Sequence, residues 1–74
     1  MSPSLPVLSG REVVRAFESL GWQVARQSGS HVIMVKEIEM TTLSIPDRRE
    51  VTKGTLRSLI RAAGVTVSEF IART

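Results

Sequence analysis

The stretch WQVARQSGSHVIMVK, residues 22–36, decides the fold. Its first half alternates, with Trp22 and Val24 on one side and Gln23, Ala25 and Gln27 on the other. That pattern reads as a half-buried strand over Trp22 to Ser28. Ser28-Gly29-Ser30 is a turn signal. His31 to Lys36 then reads as a second strand, so the two form a hairpin. Val32, Ile33, Met34 and Val35 make this second strand apolar on both faces, as expected of a central strand or one whose outer face is covered. Alternation does not assign its faces.

Upstream of the hairpin, Ser9 and Glu12 have the spacing of a capping box. Arg11 to Leu20 then places Val13, Val14, Phe17 and Leu20 on one helical face, and Gly21 stands where a left-handed cap is usual. Pro3 and Pro6 make residues 1–8 an extended lead-in to a single domain over 9–74.

Downstream, Glu37 to Met40 reads as a polar connection and Thr41 to Ile45 as a third strand, with Thr41, Leu43 and Ile45 on one side. Pro46 ends it, because proline cannot donate to a ladder. Asp47 to Val51 is a charged loop, and Thr52 is the expected N-cap of a helix running through Ala63. Leu56, Leu59, Ile60 and Ala63 give that helix its apolar face, and Gly64 closes it. Ser68 is the expected cap of a short final turn carrying Phe70 and Ile71. The elements predict an α+β fold of order α-β-β-β-α: a three-stranded antiparallel sheet with two helices on one face and the other face open.

Composition narrows the classes. The 74 residues support one domain, and there is no cysteine for a disulfide framework or a thiolate metal cluster. One histidine without cysteines argues against structural zinc. Glu37, Glu39, Asp47 and Glu50 have no metal-site spacing, and no glycine-rich phosphate loop or serine or cysteine triad can be assembled, so no cofactor is expected. No apolar run nears the ~20 residues that cross a bilayer, and Met1 to Leu8 lacks the pattern of a signal peptide. The expected location is the reducing cytoplasm, away from membranes.

The net charge of +3 is unevenly placed. Residues 1–45 balance Arg11, Arg15, Arg26 and Lys36 against Glu12, Glu18, Glu37 and Glu39. The excess sits in residues 46–74, where Arg48, Arg49, Lys53, Arg57, Arg61 and Arg73 face only Asp47, Glu50 and Glu69. Such a segment fits a polyanion or an acidic partner, or simply a solvated helix face.

His31 is the one side chain able to give and take a proton near neutral pH, with an unperturbed pKa of about 6.5. It opens a strand directly after Gly29 and Ser30, where the glycine admits a close phosphate and the serine offers a hydrogen bond. Against this, a strand histidine is ordinarily a partly buried, hydrogen-bonded residue. Lys53, Arg57 and Arg61 fall on one stripe of the second helix, and its first amides at Lys53, Gly54 and Thr55 resemble an anion site. Local capping by Thr55 and an ordinary helix start explain the same residues. Trp22 and Phe17 read as core before they read as base-stacking platforms, and Met34 and Met40 as gap-fillers.

Taken in order, Leu20-Gly21-Trp22, Arg26-Gln27-Ser28-Gly29-Ser30-His31, Ile45-Pro46, Lys53-Gly54-Thr55-Leu56-Arg57, Ala63-Gly64 and Glu69-Phe70 resemble the HicA-like mRNA interferase family. The resemblance runs from about Gly10 to Phe70 and is most specific at residues 29–31 and 53–56. It implies a double-stranded-RNA-binding-like fold and a toxin of a type II toxin–antitoxin system that cleaves mRNA. It also implies a HicB-like antitoxin that covers the toxin's histidine. The family's catalytic histidine maps onto His31 and its turn glycine onto Gly29. The chain departs from many members in having Val32 where a second histidine follows, and Asp47-Arg48-Arg49 where another histidine lies after the proline.

The expected chemistry is metal-independent attack of an RNA 2′-hydroxyl on its own phosphate. His31 is the general acid or base, and Arg26, Lys36, Arg48 or Arg49 stabilises the developing charge. Gly29, Ser30, Lys53, Gly54, Thr55 and Arg57 complete the expected RNA-contacting set. With one histidine, the other proton transfer falls to water or to a second copy of the chain, so a homo-oligomer is left open. A non-catalytic RNA-binding module and a pure antitoxin-binding subunit are the alternatives on the same fold.

Overall fold

The computed structural model describes residues 4–74. The chain forms α1 (Gly10–Ser19), β1 (Gln23–Ser28), β2 (His31–Val35), β3 (Leu43–Pro46), α2 (Lys53–Ala63) and α3 (Val67–Ile71). The strands make one antiparallel sheet in the order β1-β2-β3, and α1 and α2 pack on one face of it. This is the predicted α-β-β-β-α arrangement with a short third helix appended.

Local chemistry explains both ends of α1. The Glu12 amide donates to Ser9 Oγ at 3.2 Å and the Ser9 amide donates to Glu12 Oε1 at 3.0 Å, completing the capping box. At the other end Gly21 takes a left-handed φ of 97°. The Gly21 amide then reaches the Glu18 carbonyl at 3.0 Å, and the Trp22 amide reaches the Phe17 carbonyl at 3.0 Å. This pair of bonds is a Schellman motif, in which the residue after the glycine packs back on the last turn. Trp22 is therefore buried as the residue closing α1, and β1 begins one residue later than expected, at Gln23. In α2 the Thr55 amide donates to Thr52 Oγ1 at 3.3 Å, and Gly64, with φ of 74°, closes the far end.

The expected half-buried β1 is not what forms. All six of its residues are exposed, and Val24 keeps 46% of its surface. β1 is an edge strand with a bulge at Ala25: Val24 faces Met34 while Arg26 faces Ile33, so one extra residue sits in it. Beyond the bulge the alternation slips, and Gln27, opposite Val32, joins Val24 on the helix side.

The register also assigns the faces of β2. Met34 is fully buried against the helices, so Val32 shares that side and His31, Ile33 and Val35 lie on the open one. β2 stops at Val35, one residue short of the expected Lys36.

β3 starts at Leu43 instead of Thr41 and includes Pro46, which pairs with His31. Proline is tolerated because this is a non-hydrogen-bonded pair: the flanking bond runs from the Asp47 amide to the Ser30 carbonyl at 2.7 Å. Thr66, not Ser68, caps the last helix, since it is Thr66 that stands three residues before Glu69 and forms the capping box.

Leu5 and Leu8 of the lead segment join the core, at 4% and 5% exposure. Pro3 lies outside the described residues. The segment is tied by the Val51 amide donating to the Leu8 carbonyl and the Gly10 amide donating to the Arg48 carbonyl, both at 2.8 Å. At the centre Phe17 and Phe70 pack tilted, with ring centroids 5.0 Å apart.

Two outcomes follow from α1. A Cβ on Gly10 would collide with the Pro46 carbonyl oxygen and lie 3.1 Å from Asp47 Cα, and these backbone atoms cannot swing aside. Gly10→Ala is therefore expected to lower stability by about 1–3 kcal/mol despite alanine's better helix propensity. Denaturant unfolding showing an equally or more stable variant would refute the close approach.

Hydrogen bonds from the Ser9 amide and hydroxyl region hold the Glu12 carboxyl below its ordinary 4.5. A depressed folded pKa gives stability that is present above 4.5 and lost as pH falls through the lowered value. In Glu12→Gln the fall in stability below that pH should be shallower than in the parent, as read by unfolding midpoints across an acid series.

Candidate active site

The β1–β2 turn is two residues long, because Ser28 pairs with His31. Gly29 has φ of 59° and Ser30, like every non-glycine among the described residues, does not have positive φ, which is the sign pattern of a type II′ turn. A Cβ on Gly29 would meet nothing within 4 Å, so its backbone conformation, not crowding, calls for glycine there. The turn delivers His31 to the first position of the central strand, half-buried on the helix-free face. Ser30 Oγ lies 3.4 Å from His31 Nδ1, at the outer limit of a hydrogen bond.

Arg26 lies opposite Ile33 on this same face, diagonal to His31. Diagonal neighbours sit about 7–8 Å apart, within reach of an arginine. The loop after β3 adjoins the turn. The Asp47 amide holds the Ser30 carbonyl at 2.7 Å, and Gln27 Nε2 donates to Asp47 Oδ2 at 3.2 Å. Arg48 and Arg49 follow, exposed, and share a shallow depression with Ser9, Arg11 and Asp47. Arg26, Gly29, Ser30, His31, Arg48 and Arg49 thus gather at one end of the sheet.

The other residues expected to contact RNA lie elsewhere. Lys36 follows the opposite end of β2, about 16 Å from His31 by strand rise. Its Nζ stands 6.0 Å from the centroid of the Trp22 ring. Lys53, Gly54, Thr55 and Arg57 belong to α2, in the helical layer on the other side of the sheet. There Thr55 is engaged in capping, since Thr52 Oγ1 donates to Thr55 Oγ1 at 3.0 Å, and the Gly54 carbonyl accepts from Ser58 Oγ at 3.1 Å. Lys53, Arg57 and Arg61 are exposed along this helix. Lys36 apart, the basic groups therefore form two separate sets, one at the His31 end of the sheet and one along α2.

Sequence reasoning passed over Gln27 and Asp47. Twenty residues separate them, and nothing in their composition marks them as partners. Phe17 and Trp22 are core residues, at 0% and 2% exposure, as read from the sequence. Among the described residues no three His, Cys, Asp or Glu side chains group as metal ligands would. No helix there is long and apolar enough to cross a membrane.

Comparison with known proteins adds one finding. A family model described as the HicA toxin of bacterial toxin–antitoxin matches residues 10–65. No curated protein and no solved structure matches the chain. The matched span takes in α1, the whole sheet and α2, including the turn and His31. The chain belongs to the HicA toxin family of bacterial toxin–antitoxin systems.

Proposed function

We propose that this toxin is an endoribonuclease that cuts mRNA in the cytoplasm, with His31 as its acid–base catalyst. The observation that carries the reading is the position of the chain's single histidine. It stands on the uncovered face of the sheet, beside an open glycine turn, with Arg26 diagonal to it on the same face.

In the proposed reaction an RNA 2′-oxygen attacks the adjacent phosphorus. The new P–O2′ bond forms as the P–O5′ bond breaks, leaving a 2′,3′-cyclic phosphate and a free 5′-hydroxyl. His31 takes the proton from the 2′-hydroxyl or gives one to the departing 5′-oxygen, a role worth about 10²–10⁴-fold. Water or a residue of a second copy performs the other transfer. Arg26, with Arg48 or Arg49, neutralises the charge that builds on the phosphorane oxygens. The stripe of Lys53, Arg57 and Arg61 binds more distant phosphates, which makes binding fall with salt. Metal ions are not required in this scheme, in keeping with the scattered carboxylates. A HicB-like antitoxin restrains the toxin by covering the face that carries His31.

Purified protein should degrade single-stranded mRNA in EDTA and leave cyclic-phosphate ends. A 2′-deoxy nucleotide at the cut site should block scission. His31→Ala should abolish both the cleavage and the growth arrest on expression. Its fold should survive, because His31 is only partly buried and is not among the residues of the hydrophobic core. Cleavage persisting undiminished in the folded variant would reject His31. RNA binding without any cleavage by the parent would favour a non-catalytic module.

A further inference from the structure

We propose that Gln27 and Asp47 act together as a positioning clamp for His31, a role that rests on the catalytic reading of that histidine. β1 and β3 are not neighbours, since β2 lies between them. The bond from Gln27 Nε2 to Asp47 Oδ2, 3.2 Å long, joins β1 to the residue just after β3, across the start of β2. It closes a ring. From Gln27 the chain runs through Ser28 and Gly29 to the Ser30 carbonyl, which accepts from the Asp47 amide at 2.7 Å. The Asp47 carboxylate then returns to Gln27. The same Gln27 nitrogen also points at the Gly29 carbonyl, 3.5 Å away.

The ring encloses the residue with the fewest backbone restraints in the hairpin, Gly29. It also fixes the direction of the Ser30 carbonyl. That carbonyl shares a planar peptide unit with the His31 amide, so the clamp sets the backbone from which the imidazole projects. Gln27 lies on the helix side and His31 on the open side, so the clamp works from behind the sheet and leaves the ring clear. Both clamp residues are exposed, and an exposed hydrogen bond adds little stability. Its effect is on where the catalyst sits.

Asp47→Asn and Asp47→Ala separate the bond from the charge. Both remove the same negative charge, but asparagine keeps an acceptor for Gln27. Asp47→Ala should lower kcat about ten- to hundredfold while KM moves less than about threefold, as expected when a catalyst is misplaced by a fraction of an ångström. Asp47→Asn should restore most of kcat. The chain's one histidine gives one set of imidazole signals in NMR. Those signals should shift and broaden in Asp47→Ala, and the amide at position 47 should exchange faster, with both returning toward the parent in Asp47→Asn.

Gln27→Ala should reproduce the alanine effect with Asp47 intact, and it decides the question if Asp47→Ala fails to fold. Parent-like kcat and ring signals in both alanine variants would overturn the clamp. So would equal impairment in Asp47→Asn and Asp47→Ala, which would trace the effect to charge. If cleavage proves independent of His31, the catalytic reading falls, and the ring signals and amide exchange still decide the clamp.

Discussion

Phe17 is where the layers of this small domain meet. Its ring packs on Phe70 from the last helix, and its carbonyl receives the amide of Trp22 as α1 ends. Those two contacts set where β1 departs and bring α3 back over the core. With no disulfide in 74 residues, large apolar side chains must supply the cohesion, and all three aromatics are spent on it. The arrangement has a cost: Trp22 Nε1 is buried without a hydrogen-bond partner, typically about 1–3 kcal/mol.

That internal use of the aromatics shapes the surface. The open sheet face presents Ile33 and Val35 framed by Arg26, His31 and Ser44, with no Phe, Tyr or Trp among them. The two basic sets lie in different layers, so a strand crossing His31 and a contact made by α2 are separate events on the molecule.

The parts legible in the sequence are those whose causes are local. Ser9 with Glu12, Thr52 and Gly64 mark helix ends through bonds spanning only a few residues. The place of His31 at the head of β2 was legible because the glycine turn before it is a local signal. The bulge at Ala25 was not, because an inserted residue leaves no compositional mark, and its phase slip turns Gln27 to the helix side. Leu5 and Leu8 were read as a lead-in, since their burial depends on bonds to Arg48 and Val51, some forty residues on. The link between Gln27 and Asp47 is equally non-local and joins two exposed polar residues, a class that periodicity never singles out.

The proline that ends β3 does more than stop a strand. In its non-hydrogen-bonded pair with His31, the Pro46 nitrogen faces away from β2, toward the free edge. An incoming strand would meet there a nitrogen with no hydrogen, and the Pro46 carbonyl is covered by Gly10 and the Arg48 amide. On the opposite edge, the bulge at Ala25 puts β1 out of step with any regular partner. A sheet this small exposes two edges for every inner strand, and stray pairing between chains is its characteristic route to aggregation. Here each edge carries its own interruption, so the ladder ends at three strands.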